Sequence, residues 1–205
     1  DLQKTCKRLA KDLQKTCKRL VGERGQEPVS KRTITYIIGI PGSGKSTALA
    51  GALRDDAILR ENVATGEVPF IEYSSGLIQI GRNRETYPGT DVLSYNAQPK
   101  VLKWLDSLPA GVRVVAEGDR LANGKFFGAL LGSGWDLKII HVYCEPKAAI
   151  RRCVDRGSDF TDSWYKGRVT KVDNLVAQFI KHVTITLDAR WEPALLSGEL
   201  RNHLE

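Results

Sequence analysis

Eight residues constrain this chain more than any others: Gly39-Ile-Pro-Gly-Ser-Gly-Lys-Ser46, with Thr47 following. They fill the pattern GxxxxGK[ST] completely, and their neighbours meet its physical requirements. The run TITYIIG at 33–39 is short, apolar and β-branched, so it reads as a buried strand entering the loop. A helix over Ser46–Arg54 leaves it. Gly39, Gly42 and Gly44 allow backbone angles that turn successive N–H groups toward an anion, with Pro41 and Ser43 completing the loop. The helix start adds its positive end. Lys45 brings a cation to β- and γ-phosphates, and the Ser46 hydroxyl is a ligand for Mg²⁺. The loop therefore calls for a nucleoside triphosphate with Mg²⁺.

The rest of the body alternates strand and helix. Strands are expected at 68–74, 77–81, 112–116, 137–143 and 183–187, the first two forming a hairpin through Ser75-Gly76. Helices are expected at 100–108, 126–131, 147–156 and 172–182. This order implies an α/β fold: a mainly parallel sheet between two helical layers, α/β/α, with a helical lid. Residues 33–205 form the expected domain, and residues 1–32 an arm and linker. The arm repeats DLQKTCKRL at 1–9 and 12–20 without divergence. Its leucines and cysteines make an apolar stripe on a basic helix. That stripe reads as a packing helix or a duplication artefact in preference to a nucleic-acid-binding helix.

Charge is informative by location. Residues 1–32 hold ten Lys/Arg against four Asp/Glu, whereas 33–205 hold twenty-one against twenty. The basic character belongs to the arm. No apolar run is long enough to span a membrane and no signal-peptide pattern opens the chain, so no membrane partner and a cytoplasmic location are expected. Cys6, Cys17, Cys144 and Cys153 form no CxxC pair, which argues against disulfides and zinc.

Three further segments carry candidate chemistry. The strand at 112–116 ends in Glu117-Gly-Asp119-Arg120. A carboxylate there lies beside the phosphate loop, so Glu117 is a candidate for holding Mg²⁺ and Asp119 for Mg²⁺ or the substrate. Arg120 is a candidate phosphate clamp. The polar segment 81–91 offers Asp91 as a general base for an acceptor hydroxyl, or as a helix cap. Arg82 and Arg84 there are candidates for acceptor phosphates, and Tyr87 or Tyr95 for stacking on a base. Finally, Arg152 and Arg156 share a helix face, and Arg168 lies in the polar stretch Trp164–Arg168. These are the lid arginines expected to close over the transferring phosphate. No guanine-reading NKxD motif is present, and the body is short for an ATPase module with an added helical subdomain. The combination favours a small kinase using ATP.

The blocks GIPGSGKST, GR…YPGTDVLSYNAQP, VVAEGDRL and RRCVDRG…WYKGRVTK resemble thymidylate-kinase-like P-loop kinases of bacteriophages. The resemblance covers roughly residues 33–175. Within that group the chain looks most like kinases acting on 5-hydroxymethyluracil in phage DNA. The resemblance implies ATP-dependent transfer to the 5-hydroxymethyl oxygen, with Lys45 and Ser46 on ATP·Mg²⁺ and Asp91 as base. Glu117, Asp119 and Arg120 would then shape the acceptor site. DNA containing 5-hydroxymethyluracil is the implied partner, in a host cytoplasm. Two alternatives stand beside it: a kinase of small nucleotides or nucleosides, which the nearly neutral body favours, and a non-catalytic nucleotide-binding adaptor.

Overall fold

The phosphate loop lies at the end of a central strand of a seven-stranded sheet. The computed structural model describes residues 31–64, 67–82 and 89–205. Strand β1 (Thr33–Ile38) leads into the loop and helix α1 (Lys45–Ala52). Then come β2 (Ile58–Asn62), β3 (Phe70–Tyr73) and β4 (Leu77–Ile80), followed by a 3-10 turn at Thr90–Val92 and α2 (Gln98–Asp106). The second half runs β5 (Arg113–Glu117), α3 (Gly124–Gly132), β6 (Asp136–Tyr143), α4 (Pro146–Asp155), α5 (Asp162–Gln178), β7 (Val183–Asp188) and α6 (Pro193–Leu204). The strand order is β2-β3-β4-β5-β1-β6-β7. Strands β4 to β7 pair in parallel, and β2 and β3 add an antiparallel edge through hairpin contacts.

Both faces of the sheet are covered, as a parallel sheet requires. Alternation along β1 sends Ile34, Tyr36 and Ile38 into one core with α2 and α3, and Ile37 into the other with α1 and α6. Helix α5 serves both layers: Leu175 and Phe179 join the first core, Tyr165 and Val172 the second. The result is the three-layer α/β fold of P-loop kinases. Strand order matters for function because β1 lies between β5 and β6. The loop after β1 therefore meets the residues that follow β5 on one side and α4 on the other.

Three elements depart from the sequence expectation. Helix α5 begins at Asp162, ten residues ahead of the expected start, so Trp164–Arg168 is helical and Arg168 is not in a loop. The start is fixed by Thr161, whose Oγ1 accepts from Trp164 N at 3.2 Å, with Asp162 in the positive first turn. Gly167 within the helix obscured that signal. Helix α6 was not expected. It buries Leu196, Leu200 and Leu204, four residues apart, against α1, where Gly51 passes so close to Ser197 that an added Cβ would lie 2.2 Å from its Oγ. Strand β2 was also missed, because its ILREN sequence is almost wholly exposed and lacks alternation. It is an edge strand with a bulge, held to β3 by ladder bonds and the Arg60–Glu72 ion pair at 2.9 Å. The repeat at 1–20 lies outside the described residues, as do Arg84 and Tyr87. No helix among the described residues is long and apolar enough to cross a membrane.

Candidate active site

Two structural walls and an acidic strand end surround the phosphate loop. Gly42 has φ +81°, and a Cβ there would lie 2.2 Å from the Ala149 carbonyl of α4 and 2.9 Å from Cys153 Sγ. Only glycine allows α4 this close. From α5, the buried Tyr165 donates its hydroxyl to Pro41 O at 3.2 Å, and burial raises its pKa to about 12, so it stays a donor. Ser43 is fully buried beneath the loop, while Thr47 is exposed. Lys45 Nζ donates to Gly39 O at 2.8 Å and to Ile40 O at 3.1 Å. Burial pulls its pKa below the ordinary lysine value, opposed by Glu117, Asp91 and Asp119 in turn.

The end of β5 supplies Glu117 and Asp119, and the 3-10 turn supplies Asp91. Glu117 is 3% exposed and accepts from Ser46 Oγ at 3.0 Å. The pair brings two hard oxygen donors together at the start of α1, which fits Mg²⁺ held partly through water. Mg²⁺ bound there would neutralise charge on the β- and γ-phosphates. Burial raises the Glu117 pKa, against the lowering effects of Lys45 and the Ser46 hydrogen bond. Gly89 crosses directly over this carboxylate with φ +61°, where a Cβ would lie 2.3 Å from Oε1.

Asp91 sits in the 3-10 turn, and its Oδ1 accepts from Asp119 N at 2.8 Å and Arg120 N at 3.1 Å. It thus ties the turn at 90–92 to the strand end and does not cap α2, whose N-cap is Ala97. Tyr36 completes the tie from below. Its buried hydroxyl donates to Gly118 O at 3.0 Å and shares a 3.2 Å hydrogen bond with Thr90 Oγ1. Burial lifts its pKa well above the ordinary tyrosine value. Tyr36 and Thr90 were not among the expected site residues. The signal was a phenolic hydroxyl in a buried central strand, which must find a partner.

Asp119 is engaged by two cations. Its Oδ2 pairs with Arg168 Nη1, and Lys171 Nζ meets its Oδ1 at 2.7 Å and its carbonyl at 3.0 Å. Asp119 therefore anchors α5 to the strand end. The expected lid arginines separate. Arg168 joins this cluster, whereas Arg152 bridges the loop and the segment after β7, with 3.5 Å to Gly42 O and 3.0 Å to Ala189 O. Arg156 folds back on its own helix, to Arg152 O at 3.2 Å and Cys153 Sγ at 3.6 Å. Arg82 donates to Val63 O at 2.6 Å. Arg120 lies over the Tyr95 ring, 3.7 Å from its centroid, and Tyr95 is 88% exposed.

The match to a family model covers residues 29–188, and that family is P-loop Nucleotide Kinase3. The chain belongs to it. Members of P-loop Nucleotide Kinase3 are P-loop kinases, and this chain's fold and phosphate loop are those of such an enzyme. Among solved structures, the chain is similar to a sugar kinase from Janibacter sp. HTCC2649, with 15% identity and a TM-score of 0.48 over 84% of this chain and 93% of that one. It is also similar to a gluconokinase from Sinorhizobium meliloti 1021, with 14% identity and a TM-score of 0.49 over 84% and 91%. A deoxyadenosine kinase from M. mycoides gives 13% identity and a TM-score of 0.46 over 84% and 98%. The search of curated proteins returned no match.

The Glu117 environment yields a pH-dependent expectation for Glu117→Gln. A carboxyl whose folded pKa is raised favours folding at acid pH, and that contribution is lost as pH rises through the folded value. Glutamine keeps an acceptor for Ser46 without the buried charge. The variant should therefore melt above the wild type near neutral pH, with the gap closing as pH falls through the Glu117 transition. Mg²⁺-dependent transfer should fall about a hundredfold with loss of the carboxylate. Thermal melts across pH check the first part, and a gap that does not change with pH would contradict it.

Proposed function

We propose that the protein transfers the γ-phosphate of ATP to the hydroxymethyl oxygen of 5-hydroxymethyluracil in DNA. The acceptor oxygen attacks the γ-phosphorus as the bond to the β,γ-bridging oxygen breaks, releasing ADP. The acceptor's proton passes to Asp91. Lys45 and the loop N–H groups hold the phosphates, Ser46 and Glu117 would hold Mg²⁺, and Arg168 supplies positive charge from α5. Arg152 is positioned to serve the nucleotide on its base side, and Arg120 with Tyr95 to receive the acceptor base.

The observation that carries the acceptor assignment is the Arg120–Tyr95 pair. Arg120 donates its backbone N–H to Asp91, and the Tyr95 ring under its guanidinium is almost wholly exposed. An exposed ring beside Asp91 suits a base that remains attached to a polymer, and the resemblance of the YPGTD…QP and EGDR blocks points the same way. A small nucleotide or nucleoside acceptor is the second reading, favoured by the balance of twenty-one basic against twenty acidic residues in 33–205.

One assay separates the two. The enzyme is incubated with γ-labelled ATP and either 5-hydroxymethyluracil-containing DNA or the free nucleoside and nucleotides. Label in the polymer is expected. Label confined to free nucleosides or nucleotides would replace the first reading with the second.

A further inference from the structure

A second exposed aromatic–arginine pair lies beside the first. Trp164, in the first turn of α5, is 43% exposed and carries the Arg168 guanidinium 5.0 Å from its ring centroid. Tyr95 is 88% exposed and carries Arg120. The two pairs are physically joined. Arg168 is ion-paired with Asp119, Arg120 is the next residue, and the N–H groups of both Asp119 and Arg120 rest on Asp91. The chain of contacts Trp164–Arg168–Asp119–Arg120–Tyr95 thus links both rings to the residues that rest on Asp91.

Each ring presents the same chemistry. A guanidinium lies over each ring and fixes it, and although Trp164 also packs against Phe160 at 5.9 Å between ring centroids, part of each ring stays exposed for a further flat group. The segments that carry the two pairs hold Arg120, Lys166, Arg168 and Lys171, the last two paired with Asp119, alongside Asp91, Asp159 and Asp162. Stacking rings interleaved with cations are the means by which proteins hold unpaired nucleotides. A duplex offers no base faces to such rings, because its bases are stacked on one another.

We propose that Tyr95 and Trp164 form a two-ring track for single-stranded DNA, on which bases flanking the target stack while the target lies at Asp91. This rests on the DNA acceptor reading and sharpens it: the acceptor arrives on unpaired strand, not in intact duplex.

The test is binding of a fluorescent single-stranded deoxyoligonucleotide to the full chain, with the matched duplex as competitor. Wild-type protein should prefer the single strand, and Trp fluorescence should be quenched on binding. Tyr95→Ala and Trp164→Ala should each weaken binding about tenfold, the effect of losing one base stack. The off-track variant Leu195→Ala, on α6 and 65% exposed, should bind as wild type does. Trp164→Phe, which keeps a ring, should restore most of the affinity lost in Trp164→Ala but not the quenching. Undiminished binding by both alanine variants, or preference for duplex, would overturn the track while polymer labelling still supports the acceptor. Failure of the wild type to bind any oligonucleotide would overturn both.

Discussion

Replacing Lys45 with methionine is expected to lower phosphoryl transfer about a thousandfold while the fold persists. The ammonium is the only side-chain cation held on the loop's own inner carbonyls, Gly39 O and Ile40 O, among the described residues. On binding a triphosphate it exchanges those carbonyls for anionic oxygens, and its charge counts most as negative charge builds on the γ-phosphate oxygens. Methionine keeps much of the aliphatic stem and removes the charge. Because burial already disfavours the charged form of Lys45, losing the charge should cost the fold little. A melting temperature close to wild type is therefore the internal control. The same burial sets the alkaline limit of the free wild-type protein. With its pKa lowered, Lys45 deprotonates at lower pH than an ordinary lysine, and kcat/KM for ATP should fall over that range. A Lys45→Met variant with residual transfer should lack that limb. Transfer within a fewfold of wild type would show that the loop's N–H groups and Mg²⁺ suffice without Lys45.

The donor side of this site was legible in the sequence because it is local. Gly39–Ser46 is one continuous octet, and both its strand and its helix form where apolar pattern places them. The acceptor side is assembled from distant pieces, and only its ingredients were legible. Asp91 and Glu117–Arg120 could be named as candidates, but not the hydrogen bonds from two backbone N–H groups that join them. Asp119 read as a metal or substrate carboxylate because the cations that engage it, Arg168 and Lys171, lie 49 and 52 residues away. Arg168 itself was placed in a loop because Gly167 and a polar run hid a helix whose real start signal was a single Thr161 cap. Arg152 and Arg156 were legible as helix neighbours, but not their divergence toward Ala189 and Cys153. Such divergence depends on what packs against each arginine, which pattern alone does not encode. The parallel core strands and their order of burial were easy for the converse reason. They are short apolar runs with few alternatives, whereas β2 at the exposed edge carries no such pattern.

Asp91→Asn is the sharper test of mechanism, since Asp91 has two separable jobs. One is structural: Oδ1 receives the N–H groups of Asp119 and Arg120 and so holds the strand-end turn against the 3-10 turn. An asparagine side-chain oxygen can accept the same two hydrogen bonds. The other is the proposed chemical one: the carboxylate would take the acceptor's proton as the acceptor oxygen bonds to phosphorus, which an amide cannot do. The expected result is a fall in kcat of about a hundred- to ten-thousandfold with ATP affinity retained. Asp91→Ala should be worse in a different way. It leaves two N–H groups without their partner and loosens Gly118–Arg120, so acceptor binding and Arg120 positioning should fail together. Comparing the two variants by single-turnover transfer and by nucleotide binding separates the roles. If Asp91→Asn transfers phosphate at the wild-type rate while Asp91→Ala does not, Asp91 is a clasp for the strand end. The proton would then leave by another route, and Glu117, hydrogen-bonded to Ser46 of the phosphate loop, would be the next carboxylate to test.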